Sequence, residues 1–283
     1  MKKVTWYIAS IISAFSLSGM LFCFQFLQKR YPVSVYLFYV WLGSALFFGF
    51  YFIGSPITIK IIALTILILA GIASWIGNYS YNVAIGIQSN LGFVEAASSI
   101  RLPLLYVASL SLFDGQIDIL RLIALGTMII GIYLVSGRTG GGNNLVTKRS
   151  WLMWAILSGT MFAFLAIATR FANEQGISSN QSLFVVMFVG AIFYGTSAIF
   201  GKESLKLNKG LGVLILALIA AIIGNASLFW AFNNANNLAY PTIISNSRVV
   251  ILYLISIIIN HKRVDVKGAI GIFLTFISII FLN

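Results

Sequence analysis

The chain is a succession of long apolar stretches joined by short polar connections, and that alternation leaves few folds open to it. Ten stretches qualify: 4–27, 33–53, 58–86, 90–112, 117–137, 151–172, 180–200, 210–234, 238–259 and 264–282. About 20 apolar residues carry a helix across a bilayer, and a backbone in lipid must satisfy its own hydrogen bonds, so each stretch is expected to be a membrane-spanning helix. Hydrophobic residues make up 60% of the chain and charged ones 8%, against about 25% charged in a soluble domain. The N-terminal Met1-Lys2-Lys3-Val4 has the look of a signal-peptide start. Its apolar run continues to Leu27 without a small-residue cleavage site, so it reads as a retained first span.

The net charge of +12 is not the footprint of a nucleic-acid-binding protein, because the basic residues fall mostly in short connections. There they set membrane orientation. With the N-terminus inside, Lys2, Lys3, Lys60, Arg121 and Arg170 are cytoplasmic, and eleven other basic residues are outside. Charge alone therefore places both termini outside. The single cysteine, Cys23, excludes an internal disulfide and a multi-cysteine metal site, and the lone His261 lies in a basic loop, so neither metal nor cofactor is expected.

The two halves of the chain repeat. Displaced by 147 residues, Gly77-Asn78 falls on Gly224-Asn225, Asn90-Leu91 on Asn237-Leu238, Ser98 on Ser245, Arg101 on Arg248, Ser109 on Ser256 and Asp118 on Asp265. Apolar similarity alone does not align asparagine, serine, arginine and aspartate in one register. The expected organisation is a first five-helix repeat (1–137), a glycine-rich linker (138–149) and a second five-helix repeat (150–283). Five spans is an odd number, so the second repeat is expected to enter the membrane inverted. The fold class is thus an all-α integral membrane protein of ten helices in two inverted repeats, an architecture of secondary transporters.

Arg101 and Arg248 stand near the middle of the fourth and ninth spans. An arginine there costs about 2.5–3.5 kcal/mol on insertion scales. Its planar fork suits a carboxylate or phosphate. Two readings stand: the arginines hold an anionic substrate near the midplane, or they tie helices together. Glu95, Ser98 and Arg101 follow at three-residue steps, and Thr242, Ser245 and Arg248 repeat the pattern. On a regular helix Glu95 and Arg101 share only part of a stripe. Glu95 is a candidate for proton coupling, beside the readings of a charge balance and of a solvated helix end. Asn78, Asn82 and Asn225 are candidate substrate contacts or interhelical glue. Trp75, Tyr79, Tyr81, Phe229 and Trp230 are candidate pocket walls. Pro103, inside the fourth span, predicts a kink.

Ten spans in a five-plus-five layout around a glycine-rich linker resemble the drug/metabolite transporter superfamily, specifically its EamA-type members. The residues that carry the resemblance are Gly77, Asn78 and Ala84 with Gly224, Asn225 and Ala231, and Asp118 with Gly126 and Gly131, echoed by Asp265 with Gly268 and Gly271. The resemblance implies a central cavity among spans one to four and six to nine, with spans five and ten outside. It also implies transport of a small metabolite, often outward, and cytoplasmic termini, against the charge count.

The function expected is therefore secondary-active transport of a small anionic or zwitterionic metabolite such as an amino acid, organic acid or sugar phosphate. The expected substrate contacts are Arg101, Arg248, Ser98, Ser245, Asn78, Asn82, Asn225 and Trp230. A proton-coupled exporter of multidrug or cationic compounds is the alternative. A membrane-embedded enzyme acting on a lipid-linked substrate lacks paired carboxylates, a metal cluster and an activated nucleophile. The expected partners are a small-molecule substrate, a coupling proton and the lipid bilayer of a bacterial inner membrane, with no nucleic acid. A monomer and a homodimer both remain open.

Overall fold

The computed structural model describes residues 2–52, 61–88, 90–112, 119–136, 145–206, 210–235, 239–260 and 265–281. Twelve helices are described: α1 (Lys2–Gln28), α2 (Val33–Phe52), α3 (Ile61–Ile87), α4 (Leu91–Ser98), α5 (Arg101–Leu112), α6 (Ile119–Ser136), α7 (Leu145–Glu174), α8 (Ser179–Phe200), α9 (Leu211–Asn234), α10 (Ala239–Asn246), α11 (Arg248–Asn260) and α12 (Val266–Phe281). No strand occurs among the described residues. The linker residues 137–144, Asp114, Asp118 and His261 lie outside them. Residues 145–149, expected in the linker, form the first turns of α7.

Eight helical segments are long and apolar enough to cross a membrane, among them 91–112 and 240–258, each of which joins two of the helices above. The described apolar parts of α6 and α12, Leu122–Val135 and Val266–Ser278, are shorter. Large apolar side chains such as Phe50, Tyr133, Met153 and Phe200 point outward, at 75% exposure or more. A surface of that kind suits lipid, not water.

The principal helix pairings join one half of the chain to the other: α3 with α7, α1 with α9, α2 with α8, α6 with α12 and α4 with α11. Glycines make these approaches close. An added Cβ on Gly77 would come within 3.1 Å of Phe162 on α7, and one on Gly224 within 2.7 Å of Leu17 on α1. The glycine pair that repeats at 147 residues therefore marks two equivalent crossings. On α2 and α8, Phe38 meets Gly195, Trp41 meets Gly190 and Gly49 meets Phe184, so these helices run antiparallel. Gly131 meets Thr275 and Gly271 meets Val135, so α6 and α12 are antiparallel as well. Ser34, at the start of α2, donates to the Glu203 carboxylate just past the end of α8.

The kink expected from Pro103 falls at the carbonyl the proline frees, that of Ser99. The helix breaks at Ser99 and Ile100, between α4 and α5, and breaks again at Ser247, between α10 and α11, where no proline follows. Both breaks use tightened turns: Leu102 N donates to Ser99 O at 2.9 Å, and Val250 N to Ser247 O at 3.2 Å. In the first, Pro103 leaves Ser99 O without its usual donor. In addition, the hydroxyls of Ser98 and Ser99 both donate to Glu95 O, at 3.0 and 2.9 Å. Side-chain bonds of this kind compete with the helical ladder.

Candidate substrate site

Each break sets an arginine at the first position of the following helix, Arg101 on α5 and Arg248 on α11. Six residues separate Glu95 from Arg101, which on a regular helix puts them about 120° apart. The tightened turn removes that separation. Arg101 Nη2 donates to Glu95 Oε1 at 2.6 Å. Arg248 Nε donates to the same oxygen at 2.9 Å. The other carboxylate oxygen accepts from the Tyr81 hydroxyl at 2.7 Å. Glu95 is wholly buried, so the expectation of a solvated helix-end glutamate is corrected, as is that of a loose stripe with Arg101.

Arg101 is held further by Asn246, whose Oδ1 accepts from Nη2. Asn246 Nδ2 in turn donates to Ser99 Oγ at 3.2 Å. The Arg101 guanidinium also lies over the Phe162 ring, 5.7 Å from its centroid. The charges do not balance. Among the described residues, Glu95 is the one acidic side chain inside a span; Glu174, Glu203 and Asp265 stand at helix ends or in connections. Two guanidiniums against one carboxylate leave one positive charge over.

The arginines face a cavity of about 840 Å³, counting its open mouth. It lies among α1, α2, α3, α5, α7, α8, α9, α10 and α11. Besides the arginines its wall carries the polar residues Ser74, Asn78, Tyr81, Asn225, Thr242, Ser245 and Asn246, and apolar ones that include Leu21, Trp41, Phe162, Met187 and Phe229. Asn78 Nδ2 donates to Ser74 O and Asn225 Nδ2 to Ala221 O, each at 2.8 Å one turn earlier. That bond turns both amide oxygens away from the helix ladder. No group of three or more His, Cys, Asp or Glu that would hold a metal comes together among the described residues.

Residues 149–283 match the family described as the EamA-like transporter family. Over those residues the chain is similar to that family. EamA-like proteins belong to the drug/metabolite transporter superfamily, and the long apolar helices described above fit a multi-pass membrane protein of that kind. One solved crystal structure is similar over 100% of this chain and 97% of its own, with a TM-score of 0.67 and 11% identity. At that identity the likeness is one of fold alone. No curated protein matches the chain.

Of the residues expected to meet substrate, this EamA-like chain brings Arg101, Arg248, Ser245, Asn78 and Asn225 to the cavity wall. The others lie elsewhere. Ser98 is buried and bonds Glu95 O. The Asn82 side chain accepts from the Tyr36 hydroxyl at 2.8 Å and donates to Asn78 O, tying α2 to α3. Trp230 is 40% exposed and stands off the cavity, as does Tyr79 at 38%. Trp75 stacks on Phe193 at 4.9 Å. Sequence reasoning passed over Asn246, Trp41 and Phe162. Asn246 carried a signal, since it stands 147 residues after Ser99 within the matched Ser-x-x-Arg segments.

Proposed function

We propose that the protein is a secondary-active transporter of a small anionic or zwitterionic metabolite, working by alternating access of two inverted five-helix repeats. One observation carries this reading: two buried guanidiniums share a single carboxylate at the wall of the central cavity. The surplus positive charge, buried against a mainly apolar wall, attracts an anion and opposes a cation. A cationic or multidrug substrate fits this wall poorly. The inversion is supported by the antiparallel packing of matching helices, α2 on α8 and α6 on α12. On this reading α4 with α5, and α10 with α11, each make one broken span, and α6 and α12 complete the ten.

Glu95 acts here as a charge balance. Both its oxygens are engaged by donors, and its side chain stands behind the arginines, off the cavity. A proton-coupling role for it would require transport that follows a pH gradient and loses that dependence in Glu95→Gln.

The reading is tested by a thermal-shift screen of purified protein against amino acids, organic acids, sugar phosphates and cationic dyes. Stabilisation by compounds carrying a carboxylate or phosphate is expected. Stabilisation by the dyes alone overturns it.

A further inference from the structure

The arginines match each other at 147 residues, yet the carboxylate between them has no match: the residue 147 after Glu95 is Thr242. The two positions differ in surroundings as well as in type. Glu95 is wholly buried behind the guanidiniums, whereas Thr242 lines the cavity together with Ser245, Asn246 and Arg248. Both arginines keep unused donors. Arg101 Nε is buried with no hydrogen-bond partner. Among the described residues Arg248 bonds only through Nε, which leaves its two terminal nitrogens, the fork that suits a carboxylate or phosphate, without a partner. Arg248 is 6% exposed, so that fork is enclosed by protein and cavity. It also opens α11, so the positive end of that helix adds to the local potential.

We propose that the space in front of Thr242 is the subsite for the substrate's anionic group, a carboxylate or a phosphate. The substrate brings the acid that the second half of the chain lacks, and its binding completes an arrangement of two arginines and two anions. Arg248 holds the group through its terminal nitrogens, and Ser245 stands beside it on the same wall. Phe162, Leu21 and Met187 receive the apolar body. The proposal rests on the anion reading above and goes beyond it by giving the anion a location and a stoichiometry of one.

The test is Thr242→Glu in the full-length protein in lipid nanodiscs, with benzoate and inorganic phosphate as anionic probes and benzylamine as the cation. Wild type is expected to bind at least one of the two anions. Thr242→Glu fills the subsite from within, so it is expected to weaken that binding at least tenfold while melting at or above the wild-type temperature. Thr242→Gln has the same size without the charge and is expected to weaken binding clearly less than Thr242→Glu does. Should Thr242→Glu not fold, Thr242→Val is expected to weaken binding several-fold, and wild-type affinity in that variant overturns the proposal. Anion binding unchanged in Thr242→Glu, or lost equally in the Glu and Gln variants, overturns the subsite while the anion reading stands. Binding of benzylamine and of neither anion by wild type overturns both.

Discussion

Ser99 and Asn246 occupy matching positions, 147 residues apart, and hydrogen-bond to each other at 3.2 Å. Counterparts that touch bring the two halves of the chain face to face at this point. Through Asn246 the contact continues to Arg101, and through Arg101 to Glu95 and Arg248. The site's charge and the meeting of the halves are therefore one network.

The two arginines are expected to differ in how their loss is felt. Arg248→Gln leaves Glu95 paired with Arg101 and Tyr81, so the variant should insert and fold with a small change in melting temperature and little or no transport. Arg101→Gln also strands Asn246 and should melt lower than Arg248→Gln. Melting in detergent and uptake into proteoliposomes check both, and transport at wild-type rate in both variants would return the arginines to a purely structural role.

Glu95→Gln leaves two buried guanidiniums without a counter-charge. Removing one partner of a buried pair is worth about 3–5 kcal/mol, so this variant is expected to be among the least stable single substitutions in the protein. Adding Arg248→Gln removes one of the two uncompensated charges and should recover part of the loss. A double-mutant cycle on melting temperature measures the coupling, and simple additivity would count against a shared carboxylate.

The bond between Tyr36 and Asn82 lies off the cavity. Tyr36→Phe is expected to lower stability by about 0.6 to 2 kcal/mol, the range of interhelical polar contacts in membranes, and to leave substrate preference unchanged. Asn78→Leu, one turn away and on the cavity wall, should instead change ligand affinity. Ligand titration beside thermal melting separates the two.

Gly92 on α4 packs against the backbone of Tyr253 on α11; an added Cβ would lie 2.6 Å from Tyr253 Cα. Gly92→Ala is expected to push these helices apart and to destabilise by about 1–3 kcal/mol, as overpacking does. Gly126, with nothing within 4 Å of an added Cβ, is the control and should tolerate alanine.

Much of this layout could be read from the residues. Apolar run length marked the long helices, and a displacement of 147 residues carries the start of α5, Arg101, onto the start of α11, Arg248. The glycines at 77 and 224 were visible as a motif, but that they meet Phe162 and Leu17 is a property of packing. The arginines were visible because charge in an apolar run stands out. Their sharing of Glu95 was not, because regular helical geometry separates Glu95 from Arg101, and the break that joins them depends on serine hydroxyls and tightened turns. Trp230 misled because an aromatic residue next to a matched asparagine motif has no sequence mark for facing outward.

The most direct measurement is a titration of wild type and Arg248→Gln with the tightest-binding acid from the screen and with its primary amide, equal in shape and uncharged. The account predicts that wild type prefers the acid at least tenfold, which is about 1.4 kcal/mol, and that the preference disappears in Arg248→Gln. Equal binding of acid and amide by wild type, or a preference that survives the loss of Arg248, would contradict it.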